Sequence, residues 1–222
     1  MIVIGNFTHN LYSLPKNSIE QIEVNGFRAY STPDGIFPSV TTVVGWEKQK
    51  FFAEWRKNNA RESKRVLDRG HLLHSQVESY ILNESVEVTQ EDELFKLIKV
   101  EVDHINNIRA IEQSLWGKIT GLAGRADCIA EYKNELSVID FKASTNPKKK
   151  EDIDNYFCQA TAYALMWQER TGEEIPNIIL LIANEQGFVQ VYKEKTMNYV
   201  RKLKQAIDLY KREVNFNEII NK

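Results

Sequence analysis

The sequence predicts an α/β (α+β) protein: a mixed central sheet flanked by helices, with a helical insertion ahead of the central strands. Three observations predict it. Residues 118–132 and 136–141 read as two strands across a tight turn at Lys133-Asn134, and residues 177–183 and 187–192 as a second pair around Glu185-Gln186. Residues 153–170, between the pairs, carry an amphipathic helical pattern. Residues 47–116 repeat apolar side chains at helical spacing. No internal repeat, low-complexity tract or linker interrupts the 222 residues, so residues 1–222 are expected to form one domain. In it, 47–116 is mainly helical, 118–192 is the sheet core and 195–212 holds the last helix.

In chain order, Asn25-Gly26 stands between Ile22-Glu23-Val24 and Phe27-Arg28-Ala29-Tyr30. Asn-Gly tolerates the positive φ of a two-residue hairpin turn. Pro38 then punctuates the chain, and Ser39 is placed to cap a short helix. A helix is expected over 47–82, with Phe51, Trp55, Val66, Leu73, Val77 and Tyr80 as its apolar positions and Gly70 as a break. Residues 84–90 read as a loop. Leu94, Leu97, Ile98, Val102, Ile105, Ile108 and Ile111 predict a second long helix over 91–116. The last helix is expected over 197–212.

Hydrophobic residues make up 42% and charged residues 27%, an ordinary globular composition. No window approaches the roughly 18 apolar residues of a membrane span. Residues 1–7 are apolar but short and carry no basic leader, so no secretory signal is expected. Cys128 and Cys158 cannot form a CxxC cluster, and a reducing compartment follows: the cytoplasm of a bacterial or phage-infected cell. The net charge of −2 argues against coating nucleic acid by bulk charge. The charges are nonetheless uneven. Arg56, Lys57, Arg61, Lys64, Arg65 and Arg69 crowd one helical stretch, and Lys148, Lys149 and Lys150 form a second cluster.

The chemistry concentrates between Gly121 and Lys142. Alternation along a strand puts Asp140 and Lys142 on one face and Phe141 on the other. The strand is largely apolar, and charges ending a buried strand are costly unless they pair or bind something. The hairpin can bring Asp127 beside Asp140. Two carboxylates at one place repel unless a divalent cation sits between them, and hard oxygen ligands suit Mg²⁺ or Mn²⁺. Such a cation acidifies water and neutralises charge on a phosphodiester, while a lysine beside it holds the nucleophile. An isolated D-x-K is ordinarily a structural ion pair, so context must decide.

Gly124-Arg125-Ala126-Asp127 followed by Val138-Ile139-Asp140-Phe141-Lys142-Ala143-Ser144 resembles the core of the RecB-like branch of the PD-(D/E)XK nucleases. Arg69-Gly70-His71-Leu72-Leu73-His74-Ser75-Gln76-Val77-Glu78 resembles its R-G-x-x-x-H-x-x-x-E helix, and the spacing selects His74. Gln159 and Tyr163 resemble its Q-x-x-x-Y helix. Phe37-Pro38-Ser39-Val40-Thr41 and Trp55 resemble the opening segment of the mitochondrial genome maintenance exonucleases and related phage exonucleases. The resemblance covers roughly residues 37–165 and implies a restriction-endonuclease-like core. It implies Asp127, Asp140, Lys142, Gln159 and Tyr163 as catalytic residues. His74, Asp127, Asp140 and Phe141 would hold the metal. It further implies a helical arch built from the stretch around 47–116.

The candidate DNA contacts are the basic residues Arg56, Arg61, Arg65, Arg69, Arg125, Lys148, Lys149 and Lys150, neutralising backbone phosphates without reading sequence, together with Ser144. Trp46, Phe51, Phe52 and Trp55 are candidates for stacking on bases, with packing the commoner role. Glu78 and Glu112 read either as groups supporting the site or as surface charges, with the surface favoured. With two cysteines in all, no iron–sulfur cluster is expected. Without G-x-x-x-x-G-K-[ST], no nucleotide cofactor is expected. The expected function is a Mg²⁺- or Mn²⁺-dependent exonuclease acting on DNA ends, single-stranded by preference, in replication, repair or recombination. A helicase or single-strand-binding protein would come from elsewhere. A restriction-like or structure-specific endonuclease and a non-catalytic nucleic-acid binding module are the competing expectations.

Overall fold

The computed structural model describes residues 1–14 and 19–214. β1 (Ile2–Ile4) precedes a three-stranded antiparallel meander of β2 (Glu20–Val24), β3 (Phe27–Thr32) and β4 (Gly35–Pro38). Asn25 and Gly26 take φ of 49° and 80°, the left-handed turn that their residue types permit. Ser39 precedes α1 (Val40–Val44) without a side-chain cap, because its hydroxyl instead accepts a hydrogen bond from Arg28 Nε.

The predicted helix over 47–82 is two helices, α2 (Gln49–Asn58) and α3 (Ala60–Ile81). The break falls at Asn59 (φ −131°, ψ 47°), not at Gly70, which lies inside α3. A glycine costs a helix only about 1 kcal/mol, and Leu73, Val77, Tyr80 and Ile81 are all buried beyond it. Within the predicted loop, β5 (Ser85–Glu87) pairs with β1.

The predicted helix over 91–116 is corrected: α4 (Glu93–Val102) ends at Val102, and residues 105–117 are a strand, β6 (Ile105–Gly117). The physical reason lies in two left-handed residues, Asn107 (φ 46°) and Glu112 (φ 45°), with a register shift between Asn106 and Ala110. Such bulges break the two-residue alternation. Ile105 and Ile108 therefore share one core at a spacing of three, which imitates a helix in the sequence.

β7 (Leu122–Tyr132) and β8 (Glu135–Ser144) follow, joined through Lys133 and Asn134, both at positive φ. Then come α5 (Asp154–Thr171), β9 (Asn177–Asn184), β10 (Phe188–Lys195) and α6 (Val200–Val214). The central sheet runs β10-β9-β8-β7-β6, antiparallel except for β8 against β9. That parallel pair needs a long crossover, which α5 supplies. Every residue of β9 is buried, as expected of a strand covered on both faces. One face, with Val138, Leu180 and Ile182, packs against α1, α5 and α6. The other, with Ile139, Phe141 and Leu181, packs against α3 and α4.

Candidate active site

β7 and β8 stay paired from Tyr132↔Glu135 to Cys128↔Ile139, where their ladder ends. Past that point a side chain takes over: the Phe141 backbone N–H donates to Asp127 Oδ2 at 3.0 Å. The notch between the strands thus brings Asp127 to the end of β8. Asp140 is only 2% exposed. Lys142 Nζ donates to its Oδ1 at 2.7 Å and lies 2.6 Å from its Oδ2, which has no hydrogen-bond partner among the described residues.

Burial pushes the Asp140 carboxyl above its ordinary range; Lys142 opposes that rise and Asp127 adds to it. For Lys142, burial works against the charge, but Asp140 and Asp127 outweigh it and hold the ammonium above its usual pKa. Lys142 Nζ also sits 5.4 Å from the centre of the Tyr156 ring.

Three elements deliver the remaining groups. α3 presents His71, His74, Ser75 and Glu78 along one face of a cavity of about 410 Å³. His74 Nδ1 lies 3.6 Å from Asp127 Oδ2, and the imidazole meets the Phe141 ring edge-on. β6 delivers Glu112, which falls opposite Asp127 between the pairs Ile111↔Cys128 and Gln113↔Ala126. Burial, helped by Asp127, pushes the Glu112 carboxyl up to about 7 against the pull of Arg125, 3.4 Å away. α5 delivers Gln159 and Tyr163 one turn apart, both buried. Burial and the two aspartates raise the Tyr163 phenol, which stays protonated. Its ring lies over Gly124, where a Cβ would come within 2.9 Å of the hydroxyl oxygen.

The sequence reading named His74, Asp127, Asp140, Lys142, Gln159 and Tyr163, and these stand together. It favoured the surface for Glu78 and Glu112, whereas both line the cavity. Gln21, Arg28 and Tyr30 of the meander line it too and were not foreseen, since sequence distance hides them. Glu112 carried one signal only: a charge among the apolar repeats of 105–111.

The basic residues divide. Arg125 is exposed and lines the cavity. Arg56, Arg61 and Lys149 are exposed. Arg65 is held by Glu62 at 2.7 Å and Glu185 at 2.5 Å, and Arg69 by Glu185 at 2.5 Å and the Thr145 hydroxyl at 3.0 Å. The backbone of Lys148 bonds Gln190 and Tyr192, and Lys150 pairs with Glu194. Ser144 is buried and donates its hydroxyl to the Asn146 carbonyl. Trp46 packs against Phe27 and Tyr210, while Phe51 and Phe52 are exposed on α2. A second cavity of about 510 Å³ between α1, α5 and α6 contains none of the constellation.

The donor set suits a hard or borderline divalent cation. One ligand atom each from His74, Glu112 and Asp127 lies within 4.8 Å of the others. Asp140 is not one of that trio and pairs with Lys142.

An aspartate and lysine two apart at the end of a buried strand, with a second aspartate across the hairpin, give the arrangement of a nuclease-type fold. The model of the PD-(D/E)XK nuclease superfamily matches residues 45–218, and the chain belongs to that superfamily. The chain is also similar to mitochondrial genome maintenance exonuclease 1 of Homo sapiens, 30% identical over 132 residues, covering 51% of this chain and 38% of that protein. For the Mus musculus protein of the same name, the identity is 29% over 129 residues, with 50% and 38% covered. The match thus spans well under half the length of these relatives. A solved structure from Eubacterium rectale, provisionally described as an exonuclease, overlaps loosely: TM-score 0.36, 14% identity, 82% of this chain and 66% of that one. Among the described residues, no helix is long and apolar enough to cross a membrane.

Proposed function

We propose that the chain is a Mg²⁺- or Mn²⁺-dependent deoxyribonuclease that hydrolyses phosphodiester bonds from DNA ends, favouring single strands. The observation that carries this reading is the convergence of Asp127, Asp140 and Lys142 at the splayed end of β7 and β8, with His74 beside them. Membership of a nuclease superfamily supports it. The exonuclease name of the two mammalian relatives supports action from ends.

His74, Asp127, Asp140 and the Phe141 carbonyl would hold the cation. When bound, it supplies acidification of water and neutralisation of phosphoryl charge. Lys142, kept charged by two aspartates, donates toward the attacking oxygen and stabilises the charge that develops on the phosphate. Tyr163 and Gln159 offer an O–H and an N–H for non-bridging oxygens, and the protonated phenol cannot repel them. Arg28 and Arg125, lining the cavity, neutralise the incoming backbone. Arg56, Arg61 and Lys149 extend that positive surface. Exposed Phe51 and Phe52 supply rings for unpaired bases, with α2 and α3 as the arch.

Duplex ends would be opened by a helicase or kept single by a binding protein. Replication, repair or recombination would supply such ends. Two free, buried cysteines fit a reducing compartment, the cytoplasm of a bacterial or phage-infected cell.

The test uses end-labelled linear single- and double-stranded DNA and a closed single-stranded circle, each with Mg²⁺ or Mn²⁺. Loss of linear single strands with the circle spared is the expected result. A cut circle would replace the exonuclease with an endonuclease, and DNA left intact throughout would reject hydrolysis.

A further inference from the structure

Glu112 does not fit a structural role. Its backbone is left-handed, at φ 45°, inside a strand. Holding a residue with a Cβ there costs on the order of 1 kcal/mol or more. Of the six described non-glycine residues with positive φ, four are asparagine, the type that tolerates it best. Here a glutamate takes that conformation. The β6–β7 register runs unbroken from Ala110 to Gly117, which sets Glu112 directly opposite Asp127 on the neighbouring strand.

The charges around it do not balance. Its half-buried carboxylate faces Asp127 and Glu78, and the cations near it are Arg125 and, if protonated, His74. Arg125 sits 3.4 Å away with 58% of its side chain in solvent, so screening weakens the pair. Carboxylates gathered in this way repel unless a cation lies between them. His74, Glu112 and Asp127 each offer one ligand atom within 4.8 Å of the other two. Opposite oxygen ligands of a bound Mg²⁺ stand about 4.2 Å apart, so small side-chain rotations would close the trio on an ion.

We propose that Glu112 is a direct ligand of the cation centre, forming with His74 and Asp127 a position of one imidazole and two carboxylates. Glu112 would thereby join the ligands proposed above for the same cation, beside His74 and Asp127. This inference rests on the metal-dependent reading above and extends it to a residue on a different strand.

The test is Mn²⁺ binding to the full chain, followed by electron paramagnetic resonance and by the Mn²⁺-induced rise in melting temperature. Glu112→Gln keeps the size and removes the ligand charge, and Glu112→Gly also relaxes the backbone. Both are expected to weaken Mn²⁺ binding at least ~10-fold, the lower end of what even indirect partners of a metal site cost. Both should also shrink the thermal shift. Wild-type affinity in both variants would overturn the role of Glu112 and leave the metal-dependent reading standing. If the wild type itself bound no Mn²⁺, both would fall.

Discussion

Asp140 and Lys142 show how a buried charge is maintained at the end of a strand. The carboxylate is almost fully enclosed, and the ammonium two residues on is its counter-ion. Removing either partner leaves the other uncompensated. Glu112 is a different case, since its exposed arginine neighbour compensates it poorly. Its carboxyl rises from 4.5 to about 7, first through burial and then through Asp127. A proton is therefore bound more tightly in the folded chain than in the unfolded one. In cation-free protein that stabilisation is complete below about pH 4.5 and lost as pH rises through about 7. The difference corresponds to about 3 kcal/mol. Glu112→Gln should accordingly melt higher than wild type at pH 8 in chelator, with the gap closing toward pH 5. Parallel melting curves across that range would show that the carboxyl titrates normally. Among single residues, Asp127, Asp140, Lys142 and His74 were legible because their spacings are short and strongly patterned. Glu112 was not, because its meaning depends on the strand pairing that sets it opposite Asp127.

At the scale of elements, the site is where regular structure is interrupted. β7 and β8 part after Cys128↔Ile139, and β6 turns left-handed at Glu112. α5 approaches β7 so closely that position 124 must lack a side chain. Gly124→Ala should push Tyr163 out of place and cost about 1–3 kcal/mol, as overpacking does, with lower nuclease activity. Adding Tyr163→Phe removes the oxygen that the new methyl would meet and should recover part of the lost melting temperature. An unchanged Tm in Gly124→Ala would mean that the helix and strand have room to spare. The hairpins were legible from Asn25-Gly26 and Lys133-Asn134, whose turn chemistry is local. β6 was not, because its bulges space Ile105 and Ile108 like a helix. The break between α2 and α3 was misplaced for a related reason: tertiary packing carries α3 straight through Gly70.

For the whole molecule, a net charge of −2 must coexist with the proposed binding of a polyanion. Local distribution resolves this. Arg65 and Arg69 are neutralised by Glu62 and Glu185, while Arg125 stands exposed over the cavity. Arg125→Ala should weaken single-strand binding and flatten its logarithmic salt dependence by about 0.7, one phosphate contact. Arg65→Ala should leave both unchanged. Equal effects from the two would mean that the ion pairs open when DNA binds. As candidate phosphate contacts these residues looked equivalent in sequence, and only the fold separates arginines held by short ion pairs from Arg125, whose single longer pair to Glu112 leaves it mostly in solvent. The mixed sheet with helices on both faces was legible from the order of the strand pairs and the helix between them. The meander's share of the cavity was not, since Arg28 and Tyr30 reach it from nearly a hundred residues before Asp127.

The central claim is hydrolysis at the Asp127–Asp140–Lys142 centre with a divalent cation. It is tested most directly by release of acid-soluble nucleotide from linear single-stranded DNA over a Mn²⁺ titration. Wild type, Asp140→Ala and Lys142→Ala would be compared. The account predicts saturable release by wild type that chelator abolishes, none above background from Asp140→Ala, and most of the rate lost in Lys142→Ala despite retained Mn²⁺ binding. Undiminished release by either variant, or release that persists in chelator, would contradict it.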